Sequence, residues 1–77
     1  MALGERVRRL RTERALSQSE LASAAGVTKL TISRIERDVK FPHPKTLRGI
    51  AKALGVQPTD LADADEVMER RRGEEAA

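Results

Sequence analysis

Between Leu16 and Arg37 the chain signals a helix start twice, with one glycine between the two starts. Ser17-Gln18-Ser19-Glu20 reads as a capping box: the Ser17 hydroxyl accepts the Glu20 N–H while the Glu20 carboxylate accepts the Ser17 N–H. Leu16 and Leu21 flank it as a hydrophobic staple, so the spacing predicts a helix from Gln18 to Ala25. Gly26 then stands at C′, where a left-handed backbone ends a helix at no steric cost to glycine. Thr28 is a good N-cap, and Val27 with Ile32 repeats the staple spacing. A further helix is expected from Lys29 to Arg37, with Ile32, Ile35 and Val39 lining one face. Two helices this short must pack on each other. Ala22 and Ala25 are small enough for a close crossing, and Val27, Ile32 and Ile35 lock the second helix against the first.

The flanking segments are helical too. Residues 3–15 place Leu3, Val7 and Leu10 at helical spacing, with Arg6, Arg8, Arg9, Arg11 and Arg14 around the rest of the wheel. Asp38 to His43 reads as a loop, and Pro44 suits the first position of a helix carrying Leu47, Ile50, Ala51 and Leu54. Gly55 closes that helix, and Pro58 opens a fifth with Leu61 facing inward. The fifth helix either stops there or continues through Ala64, Val67 and Met68 to Arg70, with Glu66 and Arg70 as an i, i+4 pair. No segment alternates as a strand does, and no linker divides the chain. The expected fold is all-α, a compact five-helix bundle over residues 1–62. Residues 63–77 are left as a charged C-terminal helix extension or a disordered tail.

Composition narrows the function classes. A chain of 77 residues forms one small domain, which buries roughly 60 to 65% of its unfolded surface and has no room for a deep catalytic cleft. It has no cysteine, so neither disulfides nor thiolate metal sites supplement the core. No stretch approaches the ~20 apolar residues of a membrane span, and Glu5, Arg6, Arg8 and Arg9 follow the start directly, without an apolar signal region. A cytoplasmic, nucleoid-associated location is expected. Phe41 is the single aromatic, which argues against modules that stack unpaired bases on aromatic platforms. Net charge is +3 overall, yet residues 1–61 carry twelve Lys and Arg against six Asp and Glu, whereas the remainder is acidic. No phosphate-binding loop, nucleophile elbow or carboxylate pair beside a histidine is present, so no enzyme is expected. His43, the one histidine, precedes Pro44 and is expected to cap the fourth helix; it makes a poor metal ligand, and neither metal nor cofactor is expected.

Helix, glycine turn, helix is the helix-turn-helix arrangement, whose second helix enters the major groove of DNA. On a wheel with Ile32 at the centre of the buried face, Leu30, Arg34 and Arg37 fall near the far side, with Thr31 and Ser33 on the flanks. Lys29 lies in the first turn, the end of a recognition helix that reaches base edges.

Five blocks in order carry a resemblance. They are Leu3 to Arg11, Leu16 to Ala22, Gly26-Val27-Thr28, Thr31 to Arg37 and Leu47 to Val56, and together they resemble the phage repressor/Cro-type family, also called the XRE family, over residues 3 to about 62. The resemblance implies a lambda-repressor-like DNA-binding domain. By position it implies that Gln18 contacts a DNA phosphate and braces the recognition helix. Lys29, Leu30, Thr31, Ser33 and Arg34 match the positions that meet bases or adjacent phosphates. Arg34 can donate two hydrogen bonds to guanine O6 and N7, and Leu30 either contacts a thymine methyl or reads nothing. Thr28, Arg37, Lys40 and His43 border the DNA backbone. Asp38 stands where the family often has glycine, and a carboxylate near phosphate is unfavourable. Glu36 matches an acid paired with an arginine of the first helix, here Arg11, in a structural ion pair. Outside this frame each exposed cation would be an ordinary solvated side chain, as Lys45, Arg48 and Lys52 are expected to be.

The function implied is a sequence-specific double-stranded DNA-binding transcriptional regulator, a repressor, binding a palindromic operator as a homodimer. In the family the fifth helix often pairs, which would place Leu61, Ala64, Val67 and Met68 at the contact; the other reading gives Leu61 to the monomer core. The alternative from a different class is the antitoxin of a toxin–antitoxin pair, which sequesters a toxin and regulates its own operon. Low apolar content after Asp63 favours the plain regulator over a tail that folds on a toxin. A controller or excision-type accessory protein is a third reading. No small-molecule ligand is evident, so control is expected through abundance, a partner protein or proteolysis.

Overall fold

The structure, a computed structural model, describes residues 2–62. Among the described residues five helices follow one another: α1 (Leu3–Glu13), α2 (Gln18–Ala25), α3 (Lys29–Glu36), α4 (Pro44–Leu54) and α5 (Pro58–Leu61). No strand occurs among the described residues. The proposed continuation of α5, the Glu66–Arg70 pair and the dimer contacts at Ala64, Val67 and Met68 lie outside them.

Local chemistry starts α2, α3, α4 and α5 as their sequence requires. Ser17 and Glu20 form both bonds of the capping box, at 3.0 and 2.9 Å, and the Thr28 hydroxyl accepts the Thr31 N–H at 3.2 Å. Glu20 is consequently held below the ordinary glutamate range by its bonds to the backbone and hydroxyl of Ser17. Pro44 and Pro58 open α4 and α5, and the Asp60 carboxylate accepts the Gln57 N–H at 2.8 Å. Gly26 and Gly55 end α2 and α4 in the left-handed conformation, at φ 74° and 73°.

The inward faces meet in one aliphatic core. Val7 of α1, Leu21 of α2, Ile32 and Ile35 of α3, Ile50 and Leu54 of α4 and Leu61 of α5 are completely enclosed, with Leu3, Leu47 and several alanines around them. No polar residue joins this aliphatic core among the described residues. Leu61 therefore completes the monomer core and offers no surface to a second subunit.

Three expectations are corrected. α1 ends at Glu13 rather than residue 15, because Ala15 turns left-handed at φ 55° and breaks the ladder. α3 ends at Glu36, and Val39 is 65% exposed rather than inward, because Asp38 reverses the chain at φ 57° and the helical wheel no longer applies beyond it. His43 occupies the N-cap position of α4, but its side chain makes no capping bond.

Two glycines inside helices set how closely the layers approach. A Cβ on Gly4 would lie 2.5 Å from the Glu36 carbonyl oxygen and 2.6 Å from that of Ile35, so α1 rests directly on the end of α3. A Cβ on Gly49 would lie 2.9 Å from the Ala25 carbonyl oxygen. α4 thus lies against the backbone of α2 at its last residue, a contact set by Gly49 and not by the Ala25 side chain.

Candidate nucleic-acid interface

α3 is held by its buried face and presents the other. With Ile32 and Ile35 enclosed on one side, Lys29, Leu30 and Arg34 are exposed on the other, and Thr31 and Ser33 are half-buried at its flanks. Leu30 is 53% exposed, which sets an apolar side chain between the two cations of this face. Lys29 and Arg34 have no partner among the described residues, so both cations are available to an anion or a base edge. The Thr31 and Thr28 hydroxyls share a hydrogen bond at 3.0 Å, which leaves Thr31 Oγ1 capacity for a further bond. Arg37, just past the helix end, donates from Nε to the Ser33 carbonyl at 3.3 Å, which aligns its guanidinium along α3. Lys40 and His43 are exposed on the following loop. The structure therefore brings Lys29, Leu30, Arg34 and Arg37 to the free side of one helix and its end. Lys40 and His43 continue it along the loop.

A buried charge cluster fixes this helix from behind. Arg11 Nε donates to Glu36 Oε2 at 2.6 Å and Arg11 Nη2 to Glu36 Oε1 at 3.0 Å, a bidentate pair. The side chains are 15% and 4% exposed. The hydrogen bond to Glu36 raises the Arg11 pKa above its ordinary value against the opposing effect of burial, so the guanidinium is permanently charged. Arg11 Nη1 also donates to the Leu16 carbonyl at 2.8 Å, closing the turn between α1 and α2. Gln18 Nε2 donates to Glu36 Oε1 at 3.2 Å. The first residue of α2 is thereby tied to the last residue of α3, and its second amide hydrogen remains available to a phosphate.

Two structural roles escape a reading of the sequence. Arg6 donates to the Leu61 carbonyl at 2.8 Å and Arg14 to the Leu54 carbonyl at 2.6 Å, so each ties α1 to the end of α5 or α4. On the helical wheel they look like solvated cations. Their acceptors are backbone carbonyls far along the chain, which no local pattern announces. Arg9 and Glu13 form an exposed pair at 3.9 Å that contributes little. Asp38 is the third surprise: its Oδ1 accepts the Gly4 N–H at 3.1 Å, across to α1. Among the described residues no group of His, Cys, Asp or Glu is placed to hold a metal ion, and no helix is long and apolar enough to cross a membrane.

This geometry has a counterpart in known proteins. A family profile described as a helix-turn-helix domain matches residues 2–64. The chain belongs to that family, in its XRE-type branch. It is 32% identical over 74 residues to the immunity repressor protein of Bacillus phage phi105, covering 96% of this chain and 51% of the repressor. It is 38% identical over 64 residues to the control protein C.BamHI of Bacillus amyloliquefaciens, covering 82% of this chain and 79% of that protein. The crystal structure of the P22 c2 repressor in complex with synthetic operator 9T superposes with a TM-score of 0.76 at 31% identity, covering 82% of this chain and 97% of that one. The chain spans about half the length of the phi105 repressor.

Proposed function

We propose that this chain is a sequence-specific double-stranded DNA-binding transcriptional regulator, a repressor, that docks α3 in the major groove and binds a palindromic operator as a homodimer. The observation that carries the reading is the exposed side of α3. Lys29, Leu30 and Arg34 project from a helix whose opposite face is enclosed and whose end is clamped by Arg11 and Glu36. A preorganised, cationic and partly apolar helix face suits a groove lined by acceptors and thymine methyl groups. Likeness to a repressor crystallised with its operator supports the same orientation.

Within this reading Arg34 reads guanine, Leu30 packs on a thymine methyl, and Lys29, Thr31 and Ser33 meet neighbouring base edges or phosphates. Gln18, Thr28, Arg37, Lys40 and His43 hold the backbone. One α3 covers only a few base pairs, which is why two subunits on two half-sites are required.

Selection of bound sequences from a random duplex pool at near-physiological salt tests the proposal. An enriched inverted repeat with guanine in each half-site is the expected result; no enrichment by folded protein would overturn it in favour of a partner-dependent role such as that of an antitoxin. Two variants then assign the residues. Arg34→Ala should erase preference for selected over scrambled duplex, a loss of about 1 to 3 kcal/mol of discrimination, while largely sparing binding to scrambled DNA. Lys40→Ala should weaken both duplexes and make log K against log salt shallower by about one phosphate.

A further inference from the structure

Asp38 carries the wrong sign of charge for a loop that faces DNA, and its contacts give it another task. It sits at φ 57°, a left-handed conformation that aspartate tolerates better than most residues. Its carboxylate reaches Gly4, whose N–H donates to Oδ1 at 3.1 Å. Gly4 is the second residue of α1, so its N–H belongs to the set that has no partner within the helix. Ala2, at the N-cap, has no side chain able to accept it. The start of α1 thus receives its capping carboxylate from the loop after α3, and the helix dipole favours negative charge there.

The same turn is tied to α3. Val39 and Lys40 donate their N–H groups to the Arg34 carbonyl at 3.0 and 3.4 Å. Gly4, at the other end of the tether, is packed against the carbonyls of Ile35 and Glu36 too closely to admit a Cβ. Both anchors are therefore rigid. Arg37, held by the Ser33 carbonyl, precedes the tethered residue and Lys40 follows it by two positions, and both are exposed.

We infer that Asp38 is a positioning residue for DNA-backbone contact: docked on the N-terminus of α1, it holds the turn that presents Arg37 and Lys40 to phosphate. The inference rests on the proposed phosphate contacts of those two cations. It also accounts for a carboxylate at this place, since its charge is engaged by the end of a helix.

The test compares Asp38→Asn with Asp38→Gly, on the full chain and with a mixed-sequence duplex of about 20 base pairs as probe. Both substitutions remove the charge and both accept the left-handed backbone, but only asparagine keeps an oxygen at the acceptor position. Circular dichroism first fixes a temperature at which both variants are folded. The glycine variant should then bind roughly fivefold more weakly than the asparagine variant near 0.15 M salt, with a slope shallower by about one phosphate. Exchange of the Gly4 amide hydrogen should be faster in the glycine variant alone. Equal affinity and equal slope in the two variants overturn the positioning role while leaving the phosphate contacts in place. An unchanged slope in Lys40→Ala removes the contact itself and the inference with it.

Discussion

Ala15 and Asp38 both hold a left-handed backbone, at φ 55° and 57°, and they accommodate it differently. Asp38 gains a hydrogen bond to Gly4, whereas Ala15 gains nothing from its side chain, which is exposed. The turn at Ala15 is set by backbone bonds, from the Leu16 N–H to the Arg11 carbonyl at 3.1 Å and from the Ala15 N–H to that of Thr12 at 3.0 Å. Glycine at this C′ position relieves the steric cost of Cβ but adds chain entropy to the unfolded state. Ala15→Gly is therefore expected to stabilise the fold by about 0.5 kcal/mol, a rise of about 2 to 4 °C in Tm by calorimetry. A fall in Tm would show that the turn is not strained. At this scale the exposed set on α3 was legible, because Ile32 and Ile35 determine which way the helix faces. The tasks of Arg6, Arg14 and Asp38 were not, because each is defined by an acceptor or donor on a distant element.

Helix starts and stops were legible wherever capping is local. The Ser17–Glu20 box, Thr28, Gly26 and Gly55 act within a few residues of themselves, and all four perform as their types require. The spacing between helices was not legible, since a glycine inside a helix looks like a mere loss of propensity. Gly4→Ala separates the two effects by sign. In an exposed helix interior, alanine for glycine stabilises by about 1 kcal/mol. Here the new methyl would meet backbone carbonyls at 2.5 and 2.6 Å, which cannot rotate away as a flexible side chain could. α1 must lift from α3, and the expected cost is about 2 kcal/mol. Thermal unfolding of the variant reads this directly, and any gain in Tm would mean that α1 is free to shift.

Among the described residues two sets of cations differ in role. Arg6, Arg11 and Arg14 bind internal carbonyls or Glu36, while Lys29, Arg34, Arg37 and Lys40 are left on and beside the outer face of α3. A proposed dimer would place two such faces one DNA turn apart, about 34 Å. Inserting half a helical turn, about five base pairs, between the selected half-sites should then lower affinity by at least tenfold by titration, as one α3 faces away from the groove. Unchanged affinity would show that each subunit binds alone. What the order of residues determined by itself was the number, type and start of the helices and the outward side of α3, since caps, staples and periodicity operate over one to three turns. Only tertiary structure decided where Val39 points, that Gly4 and Gly49 are points of closest approach, and that Asp38 caps a helix 34 residues away. Those outcomes depend on distances between segments remote in the chain, which packing of the common core creates and no local pattern encodes.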